Sequence, residues 1–168
     1  MFSRIKTDLF SLLTQCKNTN LFSYFCATMK RTSIKIRSKK LDVNECRNFV
    51  TDASCGGISI FIGTVRYDTE GKEVYQLAFS SYKAMAIKEM EKIASLALEK
   101  FAIHKIAIHH AEGTLQIGEV PVIIAVSSKH RKAAFEACEF AIDTLKETVP
   151  IWKKEYFADG EVWVNAHP

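Results

Sequence analysis

Lys146, Lys153 and Lys154 crowd one short segment, LKETVPIWKKE (145–155), around Pro150 and Trp152. Ammonium groups beside large apolar residues can do two kinds of chemistry. They can hold an anion such as a phosphate, and where water is scarce they can shift pKa and move protons. Lys146 also has a plain structural explanation, because a cation near a helix C-terminus is favourable by about 0.3–1 kcal/mol. Lys153 and Lys154 lie past the proline, outside any helix. A solvated loop anchored by Trp152 would account for them without further function. A second candidate is SSKHRKAAF (127–135), where a strand pattern runs into a helix pattern. Backbone N–H groups at a helix start favour an anion, and Arg131 adds a planar fork beside His130. Ser127 or Ser128 is the expected cap there. The third candidate is FIGTVR (61–66), where Arg66 leaves a buried strand for a loop and Gly63 permits close approach of a ligand or backbone.

Helix geometry constrains how these groups combine. Arg131 and Lys146 are separated by fifteen residues of one helix, which is about 22 Å along its axis. One small-molecule pocket does not easily use both from the same copy. The spacing implies either two sites or a symmetric homodimer in which Lys146 and Lys153 of one chain meet His130 and Arg131 of the other.

The nucleophile inventory is thin. GxSxG, Walker A and GxGxxG patterns are absent. The five cysteines form no CxxC pair and the five histidines no HExxH. Neither a disulfide framework, nor a metal, nor a cofactor is expected. Cys138 falls on an apolar helix stripe and reads as buried and inert. If the chain is an enzyme, it supplies electrostatics and proton transfer, and the reactive atom arrives from elsewhere.

The elements that must position these residues follow from pattern. The chain has 168 residues, 48% hydrophobic and 25% charged, enough for one domain with an appended segment. The net charge of +4 is unevenly spread. Residues 1–40 hold nine Lys/Arg and one acid, Asp8, whereas residues 41–168 hold 14 Lys/Arg and 18 Asp/Glu. The body is thus net acidic, and its cationic patches need local reasons. The head is basic, rich in Ser, Thr and Phe, and nearly free of acids. That composition fits an organelle transit peptide; the plainer reading is a disordered extension, or translation beginning at Met29. Residues 1–33 are assigned to this extension and 34–168 to the folded domain.

Within the domain, 41–53 reads as a short helix capped by Asn44. CGGISIFIGTV (55–65) reads as a strand buried on both faces, forming a long-tipped hairpin with 74–80. Residues 81–101 form the clearest helix, with Ala86, Met90, Ile93, Ala97 and Phe101 as its stripe. Strands follow at 103–110 and 120–128, with a glycine-punctuated turn between them. A second long helix spans 129–148 and stops before Pro150, and a last strand covers 161–166. The order αββαββαβ describes an α+β domain, two long helices on a mostly antiparallel sheet.

FIGTVR, SYKAMA, EGTLQIGE, SSKHRKAAFEAC, AIDTLKETVPIWKKE and VWVNA, in this order and spacing, resemble the large, catalytic subunit family of molybdopterin synthase. The resemblance covers residues 41–166. It implies an α/β-hammerhead core with an added β subdomain. It also implies a heterotetramer, with a central homodimer of large subunits and a small ubiquitin-like subunit at each end. The small subunit's Gly-Gly C-terminus would carry a thiocarboxylate and deliver two sulfurs to cyclic pyranopterin monophosphate, making the molybdopterin dithiolene in molybdenum cofactor biosynthesis. Such an enzyme is a cytosolic sulfurtransferase without a cofactor of its own; the basic head adds mitochondrial targeting as an alternative address.

By this likeness Lys146 and Lys153 are the catalytic lysines. His130, Arg131, Lys154 and Glu155 help to bind the pterin, with Arg66 and Phe61 lining the site. Two departures stand out. AFSSYKAMA has serines where relatives tend to carry an acid, and HHAEG has His110 where many have an arginine. The competing reading is a non-catalytic module that holds a phosphorylated ligand or a protein tail. RNA binding is disfavoured by the net acidic body and the lack of an aromatic–basic RNP pattern.

Overall fold

Period-two and unbroken apolar runs in this chain become strands, and period-3.6 stripes become helices. The structure, a computed structural model, describes residues 30–158 and 160–164. The chain divides into two units, Met1–Lys30 and Arg31–Pro168, and only the second is described below. The transit-peptide expectation for the head falls outside the described residues, apart from its last few. Strand β1 (Thr32–Arg37) begins inside the stretch assigned to the extension. Helix α1 (Val43–Val50) follows, then β2 (Gly57–Gly63), β3 (Asp68–Thr69) and β4 (Lys72–Ser81). Helix α2 (Lys83–Lys100), β5 (Ile103–Ala111), β6 (Gly113–Gln116) and β7 (Val122–Ser128) come next. Helix α3 (Arg131–Thr148), β8 (Ile151–Phe157) and β9 (Gly160–Val164) complete the order.

Two sheets result. The first has the order β1-β5-β7-β2, with β1 parallel to β5 and the other pairs antiparallel. Ile106, Ile108, Ile124 and Val126 face α2 and α3, where Met90, Ile93, Ala137 and Ala141 complete the main core. Ala107, Ile123 and Ala125 face the other way, onto Cys46 and Val50 of α1. The second sheet runs β3-β4-β8-β9, with β6 also on β4. This is the α+β architecture expected, with the second sheet as the added β subdomain.

The differences from expectation have physical reasons. Asp42, not Asn44, caps α1, its carboxylate accepting from the Asn44 N–H at 2.8 Å. Strand β2 lies at a sheet edge, and the two turns of α1 cover only part of its face. Ile58 and Ile62 therefore stay 40% and 42% exposed. It forms no hairpin with β4, because the chain leaves the first sheet after Gly63 and enters the second at Asp68. VPIWKKE is not a loop past Pro150 but continues as β8, and the glycine-rich turn contains β6.

Adjacent histidines on β5 point to opposite faces, as strand alternation requires. His109 is 1% exposed on the α1 side, between Ser33 Oγ at 3.0 Å and Cys46 Sγ at 3.2 Å. His110 is 5% exposed on the other. Burial pushes both imidazoles down to about 4 from an ordinary 6.5. The unfolded chain therefore binds protons that the folded one refuses. Stability from these groups is complete above pH 6.5 and is withdrawn as pH falls toward 4, by on the order of 3 kcal/mol each. Urea unfolding at about pH 7 and about pH 4.5 should show this loss, and His109→Gln should reduce it by close to half. An unchanged pH dependence in that variant would show that His109 contributes no such term.

Candidate functional site

The site is made by the end of α3 and the change of period that follows it. Val149 is extended at φ −83°, ψ 125°, as a residue before proline must be, and its N–H still reaches Leu145 O. Pro150 then hands the chain to β8, and its carbonyl accepts from the Tyr82 N–H at 3.2 Å. Along β8 the register with β4 sets Phe79 opposite Lys153 and Leu77 opposite Glu155. Alternation turns Ile151, Lys153 and Glu155 inward.

Lys146, in the last turn of α3, and Lys153 line one cavity of about 640 Å³. Arg66 and Phe61 line it as well, with Gly63, Phe79, His110, Leu145 and Glu155. The volume suits a small molecule. Lys146 and Arg66 are exposed at its mouth, and Lys153 is half-buried. The Lys153 ammonium forms an ion pair with Glu155 Oε1 at 2.8 Å. Glu155 itself is 1% exposed, and its Oε2 has no hydrogen-bond partner. His110 Nδ1 donates to Ala111 O at 2.7 Å, and its ring stands edge-on to Phe79 with centroids 5.3 Å apart. The cavity therefore has a cationic mouth, an apolar wall and a buried carboxylate. Such an arrangement suits an anion, whose interaction with the cations strengthens where water is scarce.

Three expected residues are not brought to this cavity. Lys154 points to the opposite face of β8, where it pairs with Glu161 and lies over the rings of Tyr156 and Trp163. Strand alternation separates it from its neighbour Lys153. His130 and Arg131 sit at the start of α3, a helix length away from Lys146. No side chain caps that end. Ser128 Oγ donates instead to His130 O at 2.7 Å, and Ser127 Oγ is buried without a partner. Gly56 and Gly57 fit closely there, since a Cβ would meet Lys129 O at 2.9 Å or Arg131 Cα at 3.2 Å.

Sequence reasoning missed His110 as a cavity residue, because a histidine next to another in a strand carries no signal of which face it takes. It also missed the Cys46–His109 pair. That pair is not a nucleophile with its base. Burial pushes the Cys46 thiol up to about 11 and keeps His109 neutral, and both lie across the sheet from the cavity. Cys138 is buried with its thiol pushed up, as its stripe position indicates.

The fold and this cavity define a class. The profile of the MoaE protein family matches residues 36–148, and the chain belongs to that family. Molybdopterin synthase catalytic subunit 1 from Aedes aegypti is 47% identical over 129 residues, 76% of this chain and 83% of the mosquito protein. The molybdopterin synthase catalytic subunit from Pyrococcus abyssi is 40% identical over 135 residues, 80% of this chain and 91% of the archaeal one. The crystal structure of molybdopterin synthase from Staphylococcus aureus superposes with a TM-score of 0.74 at 38% identity, covering 81% of this chain and 98% of that one.

Gly63 leaves no room for a side chain in the cavity wall. A Cβ there would sit 2.6 Å from Val122 Cγ1, and Val122 is itself buried. Gly63→Ala should destabilise the fold by about 1–3 kcal/mol through overpacking. Urea denaturation checks this, and an unchanged midpoint would mean that the β2–β7 contact relaxes freely.

Proposed function

We propose that this chain is the catalytic subunit of a molybdopterin synthase acting as a sulfurtransferase. It would move two sulfurs from the C-terminal thiocarboxylate of a small ubiquitin-like subunit to cyclic pyranopterin monophosphate. The observation that carries the reading is the convergence of Lys146 and Lys153, from a helix end and a strand, on one small-molecule cavity. Family membership supports it, as do the names of the catalytic-subunit relatives.

The cations and the apolar wall of the cavity each have a task in that reaction. The mouth cations, Arg66 and Lys146, take the substrate phosphate. Phe61, Phe79 and Leu145 make a dry wall for a flat heterocycle and a narrow glycine tail. Sulfur transfer from a thiocarboxylate develops negative charge on sulfur and oxygen, and fixed ammonium groups stabilise it without reorganisation. Lys153, held by Glu155, is placed to pass a proton as the cyclic phosphate opens. The reactive sulfur belongs to the partner, so this chain needs no thiolate of its own. His130 and Arg131 join the site from a second copy of the chain across a two-fold axis.

In an assay with the thiocarboxylated small subunit, Lys146→Ala and Lys153→Ala should each slow product formation by about 10²–10³-fold. Product formed at the normal rate by both variants would leave only a binding module. The shared pocket has its own test. A chain carrying His130→Ala and Arg131→Ala, co-assembled with one carrying Lys146→Ala and Lys153→Ala, should regain up to about one quarter of the wild-type rate, because half of the randomly paired dimers have one intact site. No regained activity would place both halves of the site in one copy.

A further inference from the structure

Arg66 lines the cavity from a stretch of chain that belongs to neither sheet. Strand β2 ends at Gly63 and β3 begins at Asp68, so residues 64–67 cross from the first sheet to the second. Thr64 and Arg66 are exposed on either side of Val65, which is 2% exposed and packs with Val74 and Leu77. A long, exposed side chain is aimed by its backbone, and Val65 is the residue that fixes the backbone here.

Val65 gives both of its backbone groups to one turn. Its N–H donates to Glu119 O at 2.9 Å, and its carbonyl accepts from the Gly118 N–H at 2.8 Å. That turn is itself closed twice. The Glu119 N–H donates to Gln116 O at 3.0 Å, and Glu119 Oε2 accepts from the Gln116 N–H at 2.8 Å. Gly118 sits at φ +82°, a value that favours glycine at the third place of a β-turn. The carboxylate bond is charge-assisted, the stronger kind. Without it a single backbone bond closes the turn. The two groups that hold Val65 belong to Glu119 and its neighbour, so loosening of the turn passes to Val65 and, one residue on, to Arg66.

We propose that Glu119 is a positioning residue: its carboxylate closes the Gln116–Glu119 turn, the turn clamps Val65, and the clamp aims Arg66 into the cavity mouth. Glu119 does not itself line the cavity, so it acts on the ligand only through Arg66. That Arg66 grips the substrate phosphate rests on the function proposed above. The clamp on Val65 does not.

Titration of the full chain with inorganic phosphate, together with sulfur-transfer kinetics in the presence of the thiocarboxylated small subunit, tests this. Glu119→Ala should weaken phosphate by about fivefold and raise KM for the cyclic substrate by a similar factor, with kcat within about twofold. Glu119→Gln keeps an accepting side-chain oxygen and should bring both values to within about twofold of wild type. Arg66→Ala should weaken phosphate by about tenfold. Adding Glu119→Ala to it should cost no more than about a further 1.5-fold, because the clamp then has nothing to aim. Amide exchange at Val65 should quicken in Glu119→Ala while that of the core residue Ile124 stays slow. Faster exchange at Ile124 as well, or fully additive losses in the double variant, would make Glu119 a general structural residue and overturn the proposal. Wild-type phosphate affinity in Glu119→Ala would overturn it too. Wild-type affinity in Arg66→Ala would remove the task given to Arg66 and the clamp's purpose with it. If phosphate binding follows the variants as expected but no product forms with the wild-type chain, the sulfur-transfer reading fails and the clamp stands.

Discussion

A proline at position 150 forbids α3 to continue, and the site exists because of that stop. Helical period places Lys146 on the last turn, and strand period, beginning at Ile151, places Lys153 and Glu155 on one face two residues apart. The two periods meet only because Val149 is forced into extended backbone and Pro150 O finds the Tyr82 N–H. Pairing of β8 with β4 then fixes the depth of each side chain, with Lys153 beside Phe79 and Glu155 beside Leu77. A one-residue slip of that register would send Lys153 and Glu155 outward and bring Lys154 in.

Charge is arranged in order of depth. Arg66 and Lys146 are exposed at the mouth, where ionisation is cheap. Lys153 is half-buried and already shares the Glu155 carboxylate. Glu155 lies deepest, tolerated because a cation reaches one oxygen. Removing either partner of such a pair strands a charge in a poorly solvated place, which costs more than the pair gains. The cavity thus grades from wet cations at its mouth to a dry carboxylate at depth.

The long helices and the buried strands β5 and β7 were legible because most of their residues serve packing. The stripe from Ala86 to Ala97 and the run VIIAV need no other purpose. Strand β8 was hidden for the opposite reason. Its inward positions are Lys153 and Glu155, so function replaced the apolar alternation that marks a strand, while Trp152 took the exposed side. Strand β6 is four residues beginning at Gly113, too short for any period to show. The false hairpin came from reading nearness in sequence as pairing, where the chain crosses between sheets. For the site, the residue types around Lys146, Lys153 and Arg66 carried the signal. The separation of Lys153 from Lys154 and of His109 from His110 required knowing which face each strand presents.

A crystal structure of the chain with cyclic pyranopterin monophosphate bound tests the central claim most directly. The account predicts the ligand inside the cavity bounded by Lys146, Lys153 and Phe61, with its phosphate toward the Arg66 side and both ammonium groups turned to it. A ligand seated elsewhere on the chain, with the two lysines extended into separate regions of solvent, would contradict it.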